Sequence, residues 1–358
     1  MNTFNKGEWS ELYAVLKVIT EGKFNIADEN SEVYENLSYE IIRVIINELF
    51  QNGEKSFYCD KENIKIEYNK NISYIKTSEF QKICDIILNE IKTKEKDGNA
   101  TFEIREINDF IQNLEIKIKA KAKAKSDLKA QIKDYVTSTE PILTYSIKSK
   151  LGNPATLFNA SKQTDFIYEI SNFNESELIP INSEHSLPER LKLIKKEGTV
   201  KFISVKSNTL KNNLIFIDSD LTEIIGNLLL YSYEYKGKHI SDIVEKLNKL
   251  NPLNYDMILI KKNIYQNKLE KFIRAASFGM FPSKVWDGKE EITGGILIVK
   301  ETGDVVLLDN IYHKEQLNSY LIKNTKLDTP SSSRYNVMKV YKENNKYYFT
   351  LNLQVRFL

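Results

Sequence analysis

Asp127, Ser146 and Lys148 are the residues whose types and spacing suggest chemistry first. The segment 126–148 alternates apolar and polar residues in LKAQIKDYV and again in ILTYSIK, on either side of the polar break TSTEP. That pattern predicts a β-hairpin with a loop longer than two residues. Residues two apart on a strand share a face, so Ser146 and Lys148 point the same way, and the hairpin brings Asp127 alongside. A carboxylate and a lysine on adjacent strands suit metal-assisted phosphodiester hydrolysis. The acid holds Mg2+, and the ammonium places the attacking water or offsets charge on the phosphorus centre. Mg2+ keeps several waters and needs only one or two protein carboxylates.

The pattern is loose, and a serine stands at 146 where its second acid belongs. A solvated strand lysine is the plain alternative for Lys148. Two rival sets exist: Asp165 with Ser204-Val205-Lys206, and Asp287 with Ile298-Val299-Lys300. About forty residues and a helix separate Asp165 from Lys206, which argues against a simple hairpin pair. Ile298 cannot ligate a metal, and Trp286-Asp287-Gly288 reads as a turn with a buried indole.

The elements that must position these residues follow from periodicity. Helices are expected at 9–21, 38–50, 77–95, 104–114, 188–197, 221–235, 240–250, 265–279 and 313–323. Strands are expected at 63–67, 166–170, 200–205, 214–217, 337–342 and 347–357, with a hairpin from GGILIVK and DVVLLDN; 171–187 reads as loop. The class is α+β. A boundary near 250–260 would divide a part that carries the 126–148 hairpin, 1–255, from a C-terminal part, 256–358.

Bulk composition narrows the partners. The chain has 358 residues, with 51 Lys and Arg against 49 Asp and Glu, so its net charge of +2 supports no global attraction to a polyanion. The charge is clustered instead. Between 115 and 150 stand nine bases and four acids, five of the bases being Lys117, Lys119, Lys121, Lys123 and Lys125 directly before Asp127. The plain account is a solvated edge that discourages strand pairing; the other is a basic approach to DNA phosphates. Two cysteines give neither a disulfide framework nor a CxxC zinc site, which points to a reducing, cytoplasmic setting. No apolar run is long enough to cross a bilayer. His185, His239 and His313 are scattered, which disfavours a histidine-based nuclease site.

Five separated stretches carry a resemblance. NKGEWSELY, YSIKSKLGNPATLFNASKQTDFIYEI, SFGMFPSKVWDGKEEITGGILIVK, NTKLDTPSSSRY and LNLQVRF, in this order, resemble HpaII-type restriction endonucleases over essentially the whole chain. The resemblance implies a PD-(D/E)xK-like nuclease core, a mixed sheet flanked by helices. It implies Mg2+-dependent cleavage of double-stranded DNA at a short palindrome, which for the namesake is CCGG, and a cognate DNA methyltransferase in the same system. It makes Asp127 the metal-binding acid and Lys148 the catalytic lysine. Ser146 departs from the general pattern and leaves the site one carboxylate short. Glu8 and Glu11, on one face of the first helix, are the best suppliers; favouring the helix N-terminus is their plain role. A non-cleaving DNA-binding relative with a degenerate site is the alternative reading. For DNA contacts the candidates are Lys150, Ser161, Lys162 and Thr164 on the phosphate backbone. Arg334, Gln354 and Arg356 are candidates at base edges, since arginine pairs with guanine O6 and N7. The palindrome leaves open one chain nicking each strand in turn or a homodimer.

Overall fold

A computed structural model describes residues 3–46, 54–94, 101–114 and 126–358. The lysine run at 117–125 lies outside the described residues. The chain divides into two compact units. One joins residues 1–155 to 291–320, the other 156–290 to 321–358. The expected boundary near 250–260 lies inside the second unit. The division is discontinuous because the strand Gly295–Val299 returns to pair in parallel with Ile142–Ser149.

The first unit is built on a nine-stranded mixed sheet. Its order is Lys23–Ala27, Val305–Asp309, Gly295–Val299, Ile142–Ser149, Leu128–Lys133, Val33–Ile46, Lys55–Tyr58, Asn63–Tyr68 and Asn71–Lys76. Strand Lys23–Ala27 also pairs with Val33–Ile46, so six of these strands close into a ring. The expected hairpin is present as Leu128–Lys133 against Ile142–Ser149, with Leu128 opposite Tyr145. A parallel partner on its other edge fixes this hairpin from both sides.

Two helices cover the sheet. Lys6–Glu21 opens with a capping box, in which Asn5 accepts from the Glu8 amide and Glu8 accepts from the Asn5 amide. It buries Trp9, Leu12, Tyr13, Leu16 and Ile19 at helical spacing and ends at Gly22, whose φ of 62° suits a residue without Cβ. Thr77–Thr93 packs beside it through Phe80, Cys84, Ile87 and Ile91.

In the second unit Asp165–Ser171 lies between Thr199–Val205 and Lys346–Asn352, with Tyr341–Glu343 at the edge. Tyr168 is fully buried there, stacked on Phe349 at 5.0 Å, and donates to the Gly226 carbonyl at 2.7 Å. A smaller sheet joins Thr325–Leu327, Val355–Phe357 and Thr156–Phe158. The helices include Leu187–Glu197, Asn208–Ile217, Leu221–Glu234, Ile240–Leu250 and Ile264–Phe278.

Four expectations are corrected. Of the strand expected at 337–342 only Tyr341–Glu343 is strand, because Val337 and Met338 continue the turn after the helix Ser332–Tyr335. Residues 38–46 belong to the strand Val33–Ile46, not to a helix. A bulge between Ile41 and Arg43 shifts the alternation, so buried Ile41 and Val44 fall three apart and imitate a helical face. Leu214–Ile217 closes the helix Asn208–Ile217 rather than forming a strand. Ser207 caps that helix on the Leu210 amide, and Leu210, Asn213 and Leu214 form one buried stripe. The stretch 171–187 contains a short helix, Leu178–Ser183.

Candidate active site

Asp127 sits just before the first strand of the hairpin, its amide donating to the Tyr145 carbonyl at 2.9 Å. Its Oδ2 accepts from the Ile147 amide at 2.7 Å and from Ser146 Oγ at 3.0 Å. Lys148 Nζ donates to Ser146 Oγ at 2.9 Å and to the Ile147 carbonyl at 3.1 Å. The buried serine hydroxyl therefore bridges carboxylate and ammonium. Where a second acid would repel Asp127, Ser146 fixes its orientation without adding charge. Asp127 Oδ1 has no hydrogen-bond partner among the described residues.

The helix Lys6–Glu21 packs on this hairpin and brings Glu11 to the same place. The Glu11 carboxyl is pushed up to about 8, first by burial and then by the charge of Asp127. Lys148 opposes the rise, and Glu8 adds to it. Glu8 is engaged at the helix start, where its carboxylate accepts from the Asn5 amide at 2.8 Å. Of the two expected suppliers, Glu11 is the one whose carboxyl feels the charges of Asp127 and Lys148.

The donor set suits a divalent cation of the magnesium kind. Two carboxylates come from separate elements, one destabilised as an anion by the other, which is a place where an added positive charge is favourable. No group of three or more His, Cys, Asp or Glu forms a ready cation cage among the described residues.

The rivals resolve differently. Asp287 accepts from the Lys289 amide at 3.1 Å within the expected turn, where Gly288 has φ of 84°, and its indole neighbour Trp286 is half-buried. Lys300 pairs with Glu32 at 3.1 Å. Asp165 and Lys206 do meet, against the sequence expectation. The strands Asp165–Ser171 and Thr199–Val205 are antiparallel neighbours despite the sequence between them, and Lys206 Nζ lies 3.7 Å from Asp165 Oδ2.

The expected DNA contacts fall in both units. Lys150 is exposed, its ammonium 5.7 Å from the Tyr320 ring centroid. Lys162 is exposed in the one-turn helix Lys162–Thr164, which Ser161 caps on the Gln163 amide at 3.1 Å. Thr164 is fully buried and gives its hydroxyl to Asn352 at 3.0 Å, which removes it from the reach of a phosphate. Arg334 is exposed beside Tyr335. Arg356 Nε pairs with the Asp328 carboxylate at 2.6 Å. Gln354 is largely buried and lies just before the strand Val355–Phe357, so it does not share a strand face with Arg356. Asn352, which ties the Ser161–Asp165 turn to its neighbouring strand, carried no sequence signal, since asparagine is frequent in this chain.

Among the described residues no helix is long and apolar enough to cross a membrane. No solved structure matches this chain. The type II restriction enzyme HpaII of Haemophilus parainfluenzae is 37% identical over 99% of this chain and 98% of its own length. A family model described as HpaII restriction endonuclease matches residues 5–357, and the chain belongs to that family.

Proposed function

We propose that the chain is a type II restriction endonuclease that hydrolyses double-stranded DNA with Mg2+ at a short palindrome, CCGG by its family. The observation that carries the reading is the Asp127–Ser146–Lys148 chain of hydrogen bonds with Glu11 beside it. In this reading Asp127 and Glu11 hold the Mg2+, and the hairpin belongs to a PD-(D/E)xK-like core. When bound by these carboxylates, the cation would offset the charge that builds on the scissile phosphate. Ser146 and the Ile147 amide hold Asp127 in one orientation, so little reorganisation accompanies binding. The Lys148 ammonium holds the attacking water or a phosphate oxygen at the hairpin, and its charge is greatest in value where the phosphorus centre becomes more anionic. Glu8 keeps the helix start in register and so places Glu11.

The unit of residues 1–155 and 291–320 carries cleavage in this account, and Lys162, Arg334, Gln354 and Arg356 in the other unit carry recognition. Such an activity needs the host's own sites protected, so a cognate DNA methyltransferase accompanies it in the cytoplasm. A palindrome is served either by two chains or by two successive cuts.

Digestion of a fully sequenced, unmethylated plasmid tests the proposal. The wild type with Mg2+ should give discrete fragments whose ends map to one short sequence, and Lys148→Ala should give none. Intact plasmid with both Mg2+ and Mn2+, on any DNA, would overturn it in favour of a non-cleaving DNA-binding protein.

A further inference from the structure

The cleavage chemistry leaves the Asp165–Lys206 pair unused. The Lys206 amide donates to the Asp165 carbonyl at 2.9 Å, and the two side chains come within 3.7 Å. Asp165 Oδ1 accepts from Asn352 Nδ2 at 2.7 Å. The same amide group donates to the Ser161 carbonyl at 2.7 Å, and its oxygen accepts from Thr164. The carboxylate is thereby held in one orientation. Asp165 is only 6% exposed, whereas the Lys206 side chain is 60% exposed. Burial raises the Asp165 pKa, and Asn352, Lys206 and Lys162 work against the rise.

As a stabilising ion pair this arrangement is poor. The acid loses its water, and a lysine standing in solvent returns little. As a second metal centre it lacks a further acid among the described residues. As a reading device it is well formed, with a fixed acceptor beside an accessible donor. The neighbouring Lys162 is exposed and cationic, which suits the flank of a nucleic-acid surface.

In the major groove a C·G pair presents the cytosine N4 amino donor next to the guanine O6 and N7 acceptors. We propose that Asp165 and Lys206 read one C·G pair of the DNA site, the carboxylate accepting from cytosine N4 and the ammonium donating to guanine O6 and N7. A T·A edge fits less well, because thymine puts an acceptor where cytosine offers its donor, and adenine puts an amino donor where guanine offers O6. The inference rests on the endonuclease reading above.

The test uses the full chain and short duplexes carrying the mapped site, with 7-deazaguanine replacing each guanine in turn to delete N7. Wild-type cleavage should slow about tenfold at one guanine. Lys206→Ala should slow cleavage of the natural site by about 10- to 100-fold, and at that guanine 7-deazaguanine should then cost nothing further. Lys206→Arg should restore most of the rate. Asp165→Asn, which keeps an acceptor for Asn352, should narrow the preference for the natural site over a single C·G to T·A change. The melting temperature of Lys206→Ala should match the wild type, since the side chain is exposed. Wild-type rates and discrimination in both variants would overturn the assignment, as would 7-deazaguanine penalties that simply add to that of Lys206→Ala. Absence of cleavage by the wild type would instead overturn the endonuclease reading, and this inference with it.

Discussion

Glu11→Gln should stabilise the protein while removing its activity, and the gain should depend on pH. The folded carboxyl titrates near 8, against an ordinary value of 4.5. Below pH 4.5 the group is neutral in both folded and unfolded chains and carries no penalty. As pH rises towards 8, the unfolded chain ionises while the folded one stays protonated. The contribution present at low pH is lost at about 1.4 kcal/mol per pH unit. At pH 7 the accumulated loss is about 3 kcal/mol, and it levels off above pH 8. Glutamine has no such dependence. Thermal or urea midpoints of the two proteins, measured from pH 5 to pH 9 in EDTA, should therefore nearly coincide at pH 5 and diverge steadily to pH 8, with the variant the more stable. All other titrating groups are common to both proteins, so the difference reports Glu11 together with its coupling to its charged neighbours. Millimolar Mg2+ should narrow the gap by steadying the ionised carboxylate. A gap that is independent of pH, or a variant that becomes the less stable as pH rises, would refute the reasoning.

Gly294→Ala should damage the site from behind. A Cβ there would lie 2.3 Å from the fully buried Tyr145 ring, which precedes Ser146. Overpacking of this kind costs about 1–3 kcal/mol, so calorimetry should show a melting temperature several degrees lower and assays a slower cleavage, while Gly237→Ala, with no atom near its Cβ, should do neither. Arg356→Ala should reduce cognate cleavage by about 10- to 100-fold and lower discrimination between sites; an effect confined to salt dependence would mark a phosphate contact. Replacing Lys117, Lys119, Lys121, Lys123 and Lys125 by serine should flatten the log–log salt dependence of DNA binding by roughly one unit for each lysine that meets a phosphate.

The geometry of the proposed centre was legible in the sequence because its parts are local. Asp127, Ser146 and Lys148 stand on one hairpin, and two-residue periodicity both predicts that hairpin and orients its side chains. Glu11 was legible only as one of two, since helical spacing puts Glu8 and Glu11 on one face and cannot say which of them meets a strand. What the sequence hid was non-local. The parallel return of Gly295–Val299, and with it the discontinuous first unit, depends on pairing between distant segments. The Asp165–Lys206 pair was discounted because the intervening helices hide the adjacency of their strands. The bulge at Ile41–Arg43 misled directly, by giving a strand the spacing of a helix.

The parallel pairing of Ile142–Ser149 with Gly295–Val299 also sets when the site can exist. On the ribosome, the edge of the lysine-bearing strand has no partner until Val299 has emerged, and the ring of strands cannot close until Asp309 follows. A nascent or truncated chain therefore holds Asp127 and Lys148 on a hairpin paired along one edge only, against Val33–Ile46. Contacts this distant in sequence form late. Under the endonuclease proposal, the fold withholds the complete site until these late strands have been made.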